Sequence, residues 1–354
     1  MKAIVAMSGG VDSSVAAALM VEAGHDVIGI TLKQWEDADG SLPTAGCCTV
    51  GDAEDARRVA AQLDIPYYVL DYVDEFRAAV VEPFGRGYLS GQTPNPCVEC
   101  NRTVRFKALL ERTADLGGDV LVTGHYARVR WHPAGYRLER GIDPAKDQSY
   151  VLYMLTQAEL GRIRLPVGEL TKPEVRAHAR RLGLRTAGKP DSQEICFVGK
   201  GNYRNFLAEH FPETARPGPI VDAAGNRIGT HEGTAGFTIG QRRGLGIAVQ
   251  EPRFVVDIDA PTATVVVGDR DDLLVGGCSL INTSFVAGRP PRDGGLQVKV
   301  RYRSSPVAAQ LTRQGDGWVV RFDEPQRAVA PGQAAVLYDG DAVVGGGTIE
   351  SVIR

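Results

Sequence analysis

Short apolar runs alternate with amphipathic stretches along the first half of the chain. Four apolar runs have the length of buried strands: 2–7, 27–32, 67–70 and 119–123. Three longer stretches have the composition and spacing of helices: 15–23, 52–63 and 105–116. A capping box at Thr171 and Glu174 predicts a further helix start. Strands separated by helices of this length imply right-handed crossovers, so the pattern predicts an α/β domain with a parallel sheet.

The pattern changes after about residue 217. Short runs rich in Val and Ile are separated there by glycines, as at 253–259, 262–267 and 297–303, and helical periodicity is weak. This pattern is typical of small antiparallel β domains, including barrels. One domain boundary is therefore expected near residue 210 and a second at 271–277.

Composition narrows the class of protein without identifying it. The chain has 354 residues, 43% of them hydrophobic and 23% charged, which suits two or three globular domains. No apolar run approaches the roughly 20 residues of a membrane helix, and the opening residues are too few for a signal peptide, so we expect a cytoplasmic protein without membrane partners. The formal net charge of −3 gives no global attraction to nucleic acid, and any RNA contact must come from local basic patches.

A glycine-rich turn joins the first predicted strand to the first predicted helix. It reads Ser8-Gly9-Gly10-Val11-Asp12-Ser13-Ser14. Glycines allow a sharp turn close to a ligand, and the free N–H groups of a helix N-terminus attract anions, so the turn predicts a nucleotide-phosphate site. An ordinary capped turn is the simpler alternative. The string lacks the ending of a Walker loop and resembles the phosphate loop of the PP-loop ATP pyrophosphatases, which cleave ATP to AMP and pyrophosphate.

Two cysteine sites narrow the choice within that superfamily. Cys97 and Cys100 form a C-x-x-C after two prolines and before a basic helix, a setting that favours thiolates. Cys196 lies in a polar loop, 189–197. Structural zinc needs two more ligands at suitable spacing, and the adjacent pair Cys47 and Cys48 is a poor chelate. With six cysteines in a reducing compartment, chemistry is expected before structural disulfides.

These motifs together resemble one family along essentially the whole chain. The sequence is identified as a member of the bacterial tRNA-specific 2-thiouridylases, the MnmA family. The resemblance rests on the following segments, in the family's order: 8–13, 35–36, 93–101, 123–127, 146–150, 191–197, 240–246, 301–303 and 331–333.

The resemblance implies a fold and a set of site residues. The fold would be a PP-loop domain over 1–208, a small central β-rich domain over 209–272 and a C-terminal antiparallel β-barrel over 273–354. Cys100 would be the nucleophile, and Cys196 would carry a persulfide. The ATP-binding residues would be Ala6, Met7, Ser8, Gly9, Gly10, Val11, Asp12, Ser13, Leu32 and Gly124. Asn95, Pro96 and Cys97 would face the target base, and the tRNA contacts would be His125, Lys146, Asp147, Gln148, Arg301, Tyr302 and Gln333.

The implied reaction uses ATP and Mg²⁺. Adenylation turns the uracil 2-oxygen into a leaving group, and sulfur from the Cys196 persulfide replaces it. Cys100 closes a transient disulfide with Cys196, which a reductant reopens. The sulfur would come from a cysteine desulfurase or a relay protein, and the base must leave its stack to react.

One position departs from the family pattern. Many members have Asp where this chain has Cys97, and that Asp is a proposed acid or base. A thiol is a different proton carrier, with a reference pKa of about 8.5. Cys97, Cys100 and Cys196 would also be enough to hold a [4Fe–4S] cluster with one open iron, so thiolation through a cluster is an alternative. Other competing functions are an amidotransferase-type synthetase, an RNA-binding protein that uses ATP as a switch, and a redox protein.

Overall fold

The computed structural model describes residues 1–36, 49–191, 195–198, 202–248, 251–291 and 295–354. Cys47 and Cys48 lie outside the described residues. The strands are β1 Lys2–Ala6, β2 Asp26–Lys33, β3 Tyr67–Asp71, β4 Val120–Val122, β5 Ala127–His132, β6 Gly135–Arg140, β7 Ile163–Arg164, β8 Gly218–Val221, β9 Arg227–His231, β10 Phe254–Asp259, β11 Thr264–Gly268, β12 Leu274–Phe285, β13 Leu296–Lys299, β14 Val307–Gln314, β15 Gly317–Arg327, β16 Ala334–Asp339 and β17 Ala342–Ile353.

The α-helices of the described residues lie mostly in the first half of the chain. They are α1 Val11–Glu22, α2 Val50–Gln62, α3 Val73–Phe76, α4 Glu82–Leu89, α5 Pro96–Glu99, α6 Leu109–Asp115, α7 Gln157–Leu160, α8 Lys172–Arg181 and α9 Tyr203–His210. Two π-helical segments, Arg77–Val81 and Cys100–Ala108, connect α3 to α4 and α5 to α6. None of the described helices is long and apolar enough to cross a membrane.

The first sheet is parallel, as the sequence pattern predicts. Its strand order is β3-β2-β1-β4-β7, and every neighbouring pair runs parallel. β1 is central and its residues Ala3, Ile4 and Val5 are fully buried. The capping box of Thr171 and Glu174 is present at the start of α8. The carboxyl ends of the strands therefore gather the loops after β1, β2 and β4 at one edge.

The helix predicted over 105–116 begins earlier than its periodicity indicates. It starts at Pro96, because Asn95 Oδ1 accepts hydrogen bonds from the backbone N–H groups of Cys97 (3.2 Å) and Val98 (3.3 Å). Its middle, from Cys100, has π-helical hydrogen bonding, a form that often occurs at functional sites. Both cysteines of the C-x-x-C motif therefore lie in its first two turns.

The second half forms two further sheets. A four-stranded sheet has the order β10-β11-β8-β9, and within it β11 and β8 run parallel. The last six strands close into an antiparallel barrel, since β12 pairs with both β15 and β17. The fold class is thus confirmed, whereas the proposed boundaries after residues 208 and 272 stay predictions.

A hairpin from the first half extends the barrel sheet, and the sequence pattern does not predict it. β5 and β6 pair with each other, and β6 pairs with β17 through Leu138 and Val343. Leu138 is fully buried in a core cluster that also contains Cys100 and Tyr338. The barrel and the parallel-sheet domain therefore share one apolar core.

Candidate active site

The glycine-rich turn packs tightly against neighbouring backbone. Gly9 has a positive φ of 70°, and a Cβ there would lie 2.1 Å from the carbonyl oxygen of Asp52. A Cβ on Gly124, which follows β4, would lie 2.7 Å from the backbone nitrogen of Ser13. Glycine is therefore required at both positions for the turn to hold this shape.

Hydroxyl groups fix the inside of the turn. Ser13 Oγ accepts from the Ser8 N–H at 3.1 Å and donates to the Gly10 carbonyl at 3.2 Å. Gly10 is the N-cap of α1 and offers no side-chain cap, so the first N–H groups of the helix remain suited to an anion. The side chains of Met7, Val11 and Leu32 are buried, so these residues would meet a ligand mainly through their backbone atoms.

A buried lysine links the turn to a distant helix. Lys172, the first residue of α8, is 7% exposed. Its Nζ lies 2.7 and 2.9 Å from the two carboxylate oxygens of Asp12 and 2.8 Å from Asp191. The Tyr126 hydroxyl also donates to Asp12, at 2.7 Å. Asp12 is thus held by two partners that follow it by more than a hundred residues.

Asp191, five residues before Cys196 in the chain, forms ion pairs with three cations. Besides Lys172, it accepts from Lys146 at 2.6 Å and from Arg176 at 3.2 Å. Burial alone would raise the pKa of Asp191, but the hydrogen bonds from Lys146 and Lys172 outweigh it and lower that pKa. Asp191 is therefore ionised at neutral pH.

A second lysine fastens the other side of the turn. Lys189 Nζ donates to the Gly9 carbonyl at 3.0 Å and contacts Asp52 and Asp55, each at 2.7 Å. Burial opposes the charge of Lys189, but the two carboxylates raise its pKa. Lysines therefore hold the glycine-rich turn of residues 8–14, called the phosphate turn below, on both sides: Lys172 bonds to Asp12, and Lys189 bonds to Gly9.

The nucleophile candidate Cys100 lies at the same sheet edge. Gln34, which follows β2, donates to Cys100 Sγ at 3.5 Å. Cys100 is 6% exposed, and Cys196 packs against the same apolar cluster. Cys97 is exposed. Cys100 thus lies beside the loop that follows β2, and Cys196 packs against the core cluster that contains Cys100.

The predicted base-contacting loop is held by the barrel. Thr93 donates from its N–H to the Pro331 carbonyl at 2.8 Å and accepts at its carbonyl from Gln333 Nε2 at 2.7 Å. Pro96 is buried. Gln333 therefore positions the start of the loop that carries Asn95 and Cys97.

The predicted tRNA contacts fall into two groups. Asp147 and Gln148 hold backbone: Asp147 accepts from the N–H of Gly141 and of Ser149, and Gln148 accepts from the N–H of Tyr126. His125 is 6% exposed, and burial, followed by the charge of Arg105, lowers its pKa to about 3.

The second group lies nearer the surface of the chain. Lys146 and Arg301 are partly buried, and Tyr302 is 39% exposed. Lys146 is engaged with Asp191, and Arg301 Nη2 donates to the Ile239 carbonyl at 2.6 Å. Of the aromatic groups predicted to meet RNA, Tyr302 is thus the accessible one.

Sequence reasoning did not assign roles to Lys172, Tyr126 or Lys189. The sequence marks these positions only indirectly. Tyr126 and Lys189 lie inside recognised motifs, and Lys172 lies inside a capping box, but none of these motifs indicates a charge partner. Charge partners so far apart in the chain cannot be paired from a single sequence.

The described residues include no group of three Cys, His, Asp or Glu side chains placed to hold a metal ion. The iron–sulfur alternative needs Cys97, Cys100 and Cys196 together, so the arrangement does not favour it. A Mg²⁺ site needs fewer protein ligands, since one or two carboxylates together with substrate phosphates are enough. Asp12, which lies in the glycine-rich turn, would suit that donor set.

Comparison with known proteins decides the family. The family model described as the tRNA methyl transferase HUP domain matches residues 1–200, and the tRNA methyl transferase PRC-barrel and aminomethyltransferase beta-barrel models match 204–269 and 275–349. The tRNA-specific 2-thiouridylase MnmA of Heliobacterium modesticaldum is 49% identical over 98% of this chain and 91% of its own length. The chain belongs to the MnmA family.

Other MnmA proteins match as completely. Those of Chloroflexus aurantiacus (strain J-10-fl) and Moorella thermoacetica are 50% and 49% identical, over 98% and 99% of this chain and 97% and 100% of their own lengths. A solved 4-thiouridine synthetase–RNA complex with bound ATP aligns with 60% of this chain and 50% of that chain, at 17% identity and a TM-score of 0.39. That likeness is too low to bear on function.

Proposed function

We propose that this chain is an ATP-dependent tRNA 2-thiouridylase. It would exchange the 2-oxygen of the wobble uridine for sulfur and release AMP and pyrophosphate. The observation that carries the proposal is the match of this chain to MnmA proteins along its length. It is supported by the position of Cys100 beside the loop that follows β2, and by the packing of Cys196 against the core cluster that contains Cys100.

The nucleotide would bind at the turn between β1 and α1. The N–H groups at the start of α1 and the hydroxyls of Ser8 and Ser13 would meet the phosphates. Mg²⁺, held by Asp12 and phosphate oxygens, would offset the triphosphate charge when bound. Lys172 is close enough to Asp12 to share that charge compensation.

Sulfur transfer would use both cysteines. The terminal sulfur of a Cys196 persulfide attacks C2 of the adenylated base. The Cys100 thiolate then attacks Cys196 Sγ, the bond between the two persulfide sulfurs breaks, and its electron pair passes to the sulfur on C2. AMP leaves with the former 2-oxygen as the C=S bond forms. The product disulfide between Cys100 and Cys196 needs an external thiol for the next cycle.

The remaining residues would hold the substrate RNA. Asn95, Pro96 and Cys97 would line the pocket for the flipped base, since a base must leave its stack to react. His125, Lys146, Asp147, Gln148, Arg301, Tyr302 and Gln333 would contact or position the tRNA. The persulfide sulfur would come from a separate donor protein, a cysteine desulfurase or relay protein, in the cytoplasm.

Nucleoside analysis of tRNA incubated with the protein, ATP, Mg²⁺ and a sulfur source tests the proposal. Wild type should form 2-thiouridine, while Cys100→Ser and Cys196→Ser should form none and still bind tRNA. Cys278→Ala is the matched control: Cys278 is buried in the barrel, burial raises its pKa to about 12, and its loss should leave activity intact. Thiolation by either serine variant, or a methylated uridine as product, would refute the assignment.

A further inference from the structure

A cluster of cations and tyrosines lies where the barrel meets the predicted base-contacting loop. Lys299, at the end of β13, places its Nζ 5.8 Å from the centre of the Tyr150 ring and 5.9 Å from that of Tyr302. The two rings are edge-to-face at 5.9 Å. Nearby, the Arg140 guanidinium lies 4.3 Å from the centre of the Tyr338 ring. We call Lys299, Arg140 and Arg301 with these tyrosines the Lys299 cluster.

The positive charge of the Lys299 cluster is poorly neutralised. The ammonium group of Lys299 makes no hydrogen bond or ion pair with any residue that the structure describes. Burial lowers the pKa of Lys299, the charge of Asp147 opposes that change, and the charge of Arg140 adds to it. Asp147 already accepts hydrogen bonds from Gly141 N–H, Ser149 N–H and Ser149 Oγ. The carboxylate whose charge acts on Lys299 is therefore already engaged by other donors.

Two of those cations are also short of hydrogen-bond acceptors. Nε and Nη2 of Arg140 and Nε of Arg301 are buried without a partner among the described residues. Buried donors normally have partners, so unpaired ones call for an explanation. Because these atoms are out of reach of solvent, Arg140 and Arg301 contribute charge, and Lys299 is the member of the cluster that is suited to touch a ligand.

The cluster lies next to the predicted target-base pocket. Tyr302 is 39% exposed and stands beside Lys299. Tyr150 belongs to the 3-10 segment Ser149–Leu152, which contacts α5, the helix that carries Cys97. Burial, and then the charges of Asp147 and Cys97, raise the pKa of Tyr302. An anion at Lys299 would therefore be a near neighbour of the base that reacts beside Cys97.

We propose that Lys299 binds an RNA backbone phosphate directly adjacent to the target uridine. This rests on the proposed function for the identity of the RNA. The local excess of positive charge attracts the phosphate, and the exposed face of Tyr302 offers a stacking surface for a neighbouring base. Lys299 is thus a positioning residue: it fixes the backbone on one side of the flipped uridine.

The test measures binding of an anticodon stem–loop RNA with three backbones: unmodified, and with a neutral methylphosphonate on the 5′ or the 3′ side of the uridine. Wild type should lose roughly tenfold in affinity for one modified RNA, the scale of one charge-assisted contact. Lys299→Met should bind the unmodified RNA roughly tenfold more weakly, and the same modification should then cost nothing further. Its log–log salt slope should fall by about 0.7. Lys299→Arg should restore both responses.

Arg313→Met is the matched control, since it removes one exposed cation from the far end of the barrel hairpin between β14 and β15. It should respond to the methylphosphonates as wild type does. If Lys299 only packs between the tyrosines, Lys299→Met should change the melting temperature and leave the methylphosphonate response intact, which would overturn the inference. The binding assay contains neither ATP nor a sulfur donor, so it is independent of the thiolation reaction. A protein that binds through Lys299 but forms no 2-thiouridine would therefore overturn the proposed function alone.

Discussion

Replacing Lys172 with Met removes the cation shared by two carboxylates. Asp12 loses contacts of 2.7 and 2.9 Å with Lys172 and keeps the Tyr126 hydroxyl as its side-chain partner among the described residues, whereas Asp191 keeps Lys146 and Arg176. Breaking a fully buried ion pair costs roughly 3–5 kcal/mol, because one charge is left uncompensated. The side chains of Asp12 and Asp191 are 31% and 23% exposed, so water screens part of that cost. We expect a loss of about 2 kcal/mol in the free energy of unfolding.

Urea unfolding followed by the fluorescence of Trp35 measures this loss. The ring centres of Trp35 and Phe206 are 5.8 Å apart in the apolar core. Replacing Trp131 and Trp318 by Phe leaves Trp35 as the sole tryptophan that reports unfolding. With a urea dependence of about 2–3 kcal/mol per molar, the midpoint should fall by about 0.8 M.

A matched pair on the same two helices provides the control. Arg181 of α8 contacts Glu22 of α1 at 2.8 Å, but both side chains are well exposed. Such surface pairs contribute about 0–1 kcal/mol, so Arg181→Met should shift the midpoint little. The double variant Lys172→Met with Asp12→Asn should recover about 1 kcal/mol, because no unpaired charge remains at Asp12. Equal effects of Lys172→Met and Arg181→Met, or strict additivity in the double variant, would refute the reasoning.

Three further outcomes are expected. Asp12→Asn should abolish tRNA-dependent pyrophosphate release while far-ultraviolet circular dichroism stays unchanged; an unaltered rate would remove Asp12 from the ATP site. His125 is neutral in the fold because its pKa is lowered to about 3, and an unfolded His gains a proton below about 6.5. Stability conferred by His125 is therefore present above pH 6.5 and lost as the pH falls, by about 2 kcal/mol between pH 7 and 5. His125→Gln should flatten that dependence, and an equally steep urea-midpoint profile would contradict it. Cys97→Asp should keep much of the thiolation activity without iron, because Asp can replace Cys97 as a proton carrier. Loss of activity in this variant, together with a stoichiometric cluster in anaerobically reconstituted wild type, would show that Cys97 is a cluster ligand instead.

The sequence was sufficient for the parallel sheet because its signals are local. Runs such as 2–7 and 27–32 are apolar enough to be strands that are buried on both faces. β1 lies within the first run, and β2 covers the second with one more residue at each end. The β5–β6 hairpin is different, since Trp131 is 70% exposed and only Leu138 of β6 is fully buried. A strand buried at one position has little apolar pattern, and its pairing with β17 is a contact between distant segments.

The candidate site shows the same division. The phosphate turn and the cysteine motifs are contiguous strings, so the chain itself displays them. The lysines that bond to the turn are not displayed in this way, because they are far from it in the chain. Lys172 is 160 residues from Asp12, and Lys189 is 180 residues from Gly9. Their signal is a buried charge, and burial becomes known only once the fold is known.

Asp191 shows why such a distant network is suited to this site. It is bonded to Lys146, from a segment predicted to contact tRNA, and to Lys172, which holds Asp12 in the phosphate turn. It also lies five residues before Cys196 in the chain. A half-buried carboxylate holds its position only while its cations hold theirs, because an unpaired charge is costly where water has limited access. Displacing Asp12 or Lys172 would therefore remove a cation from Asp191 or a carboxylate from Lys172. The ion pairs thus link the predicted ATP site, at Asp12, to the segment predicted to contact tRNA, at Lys146.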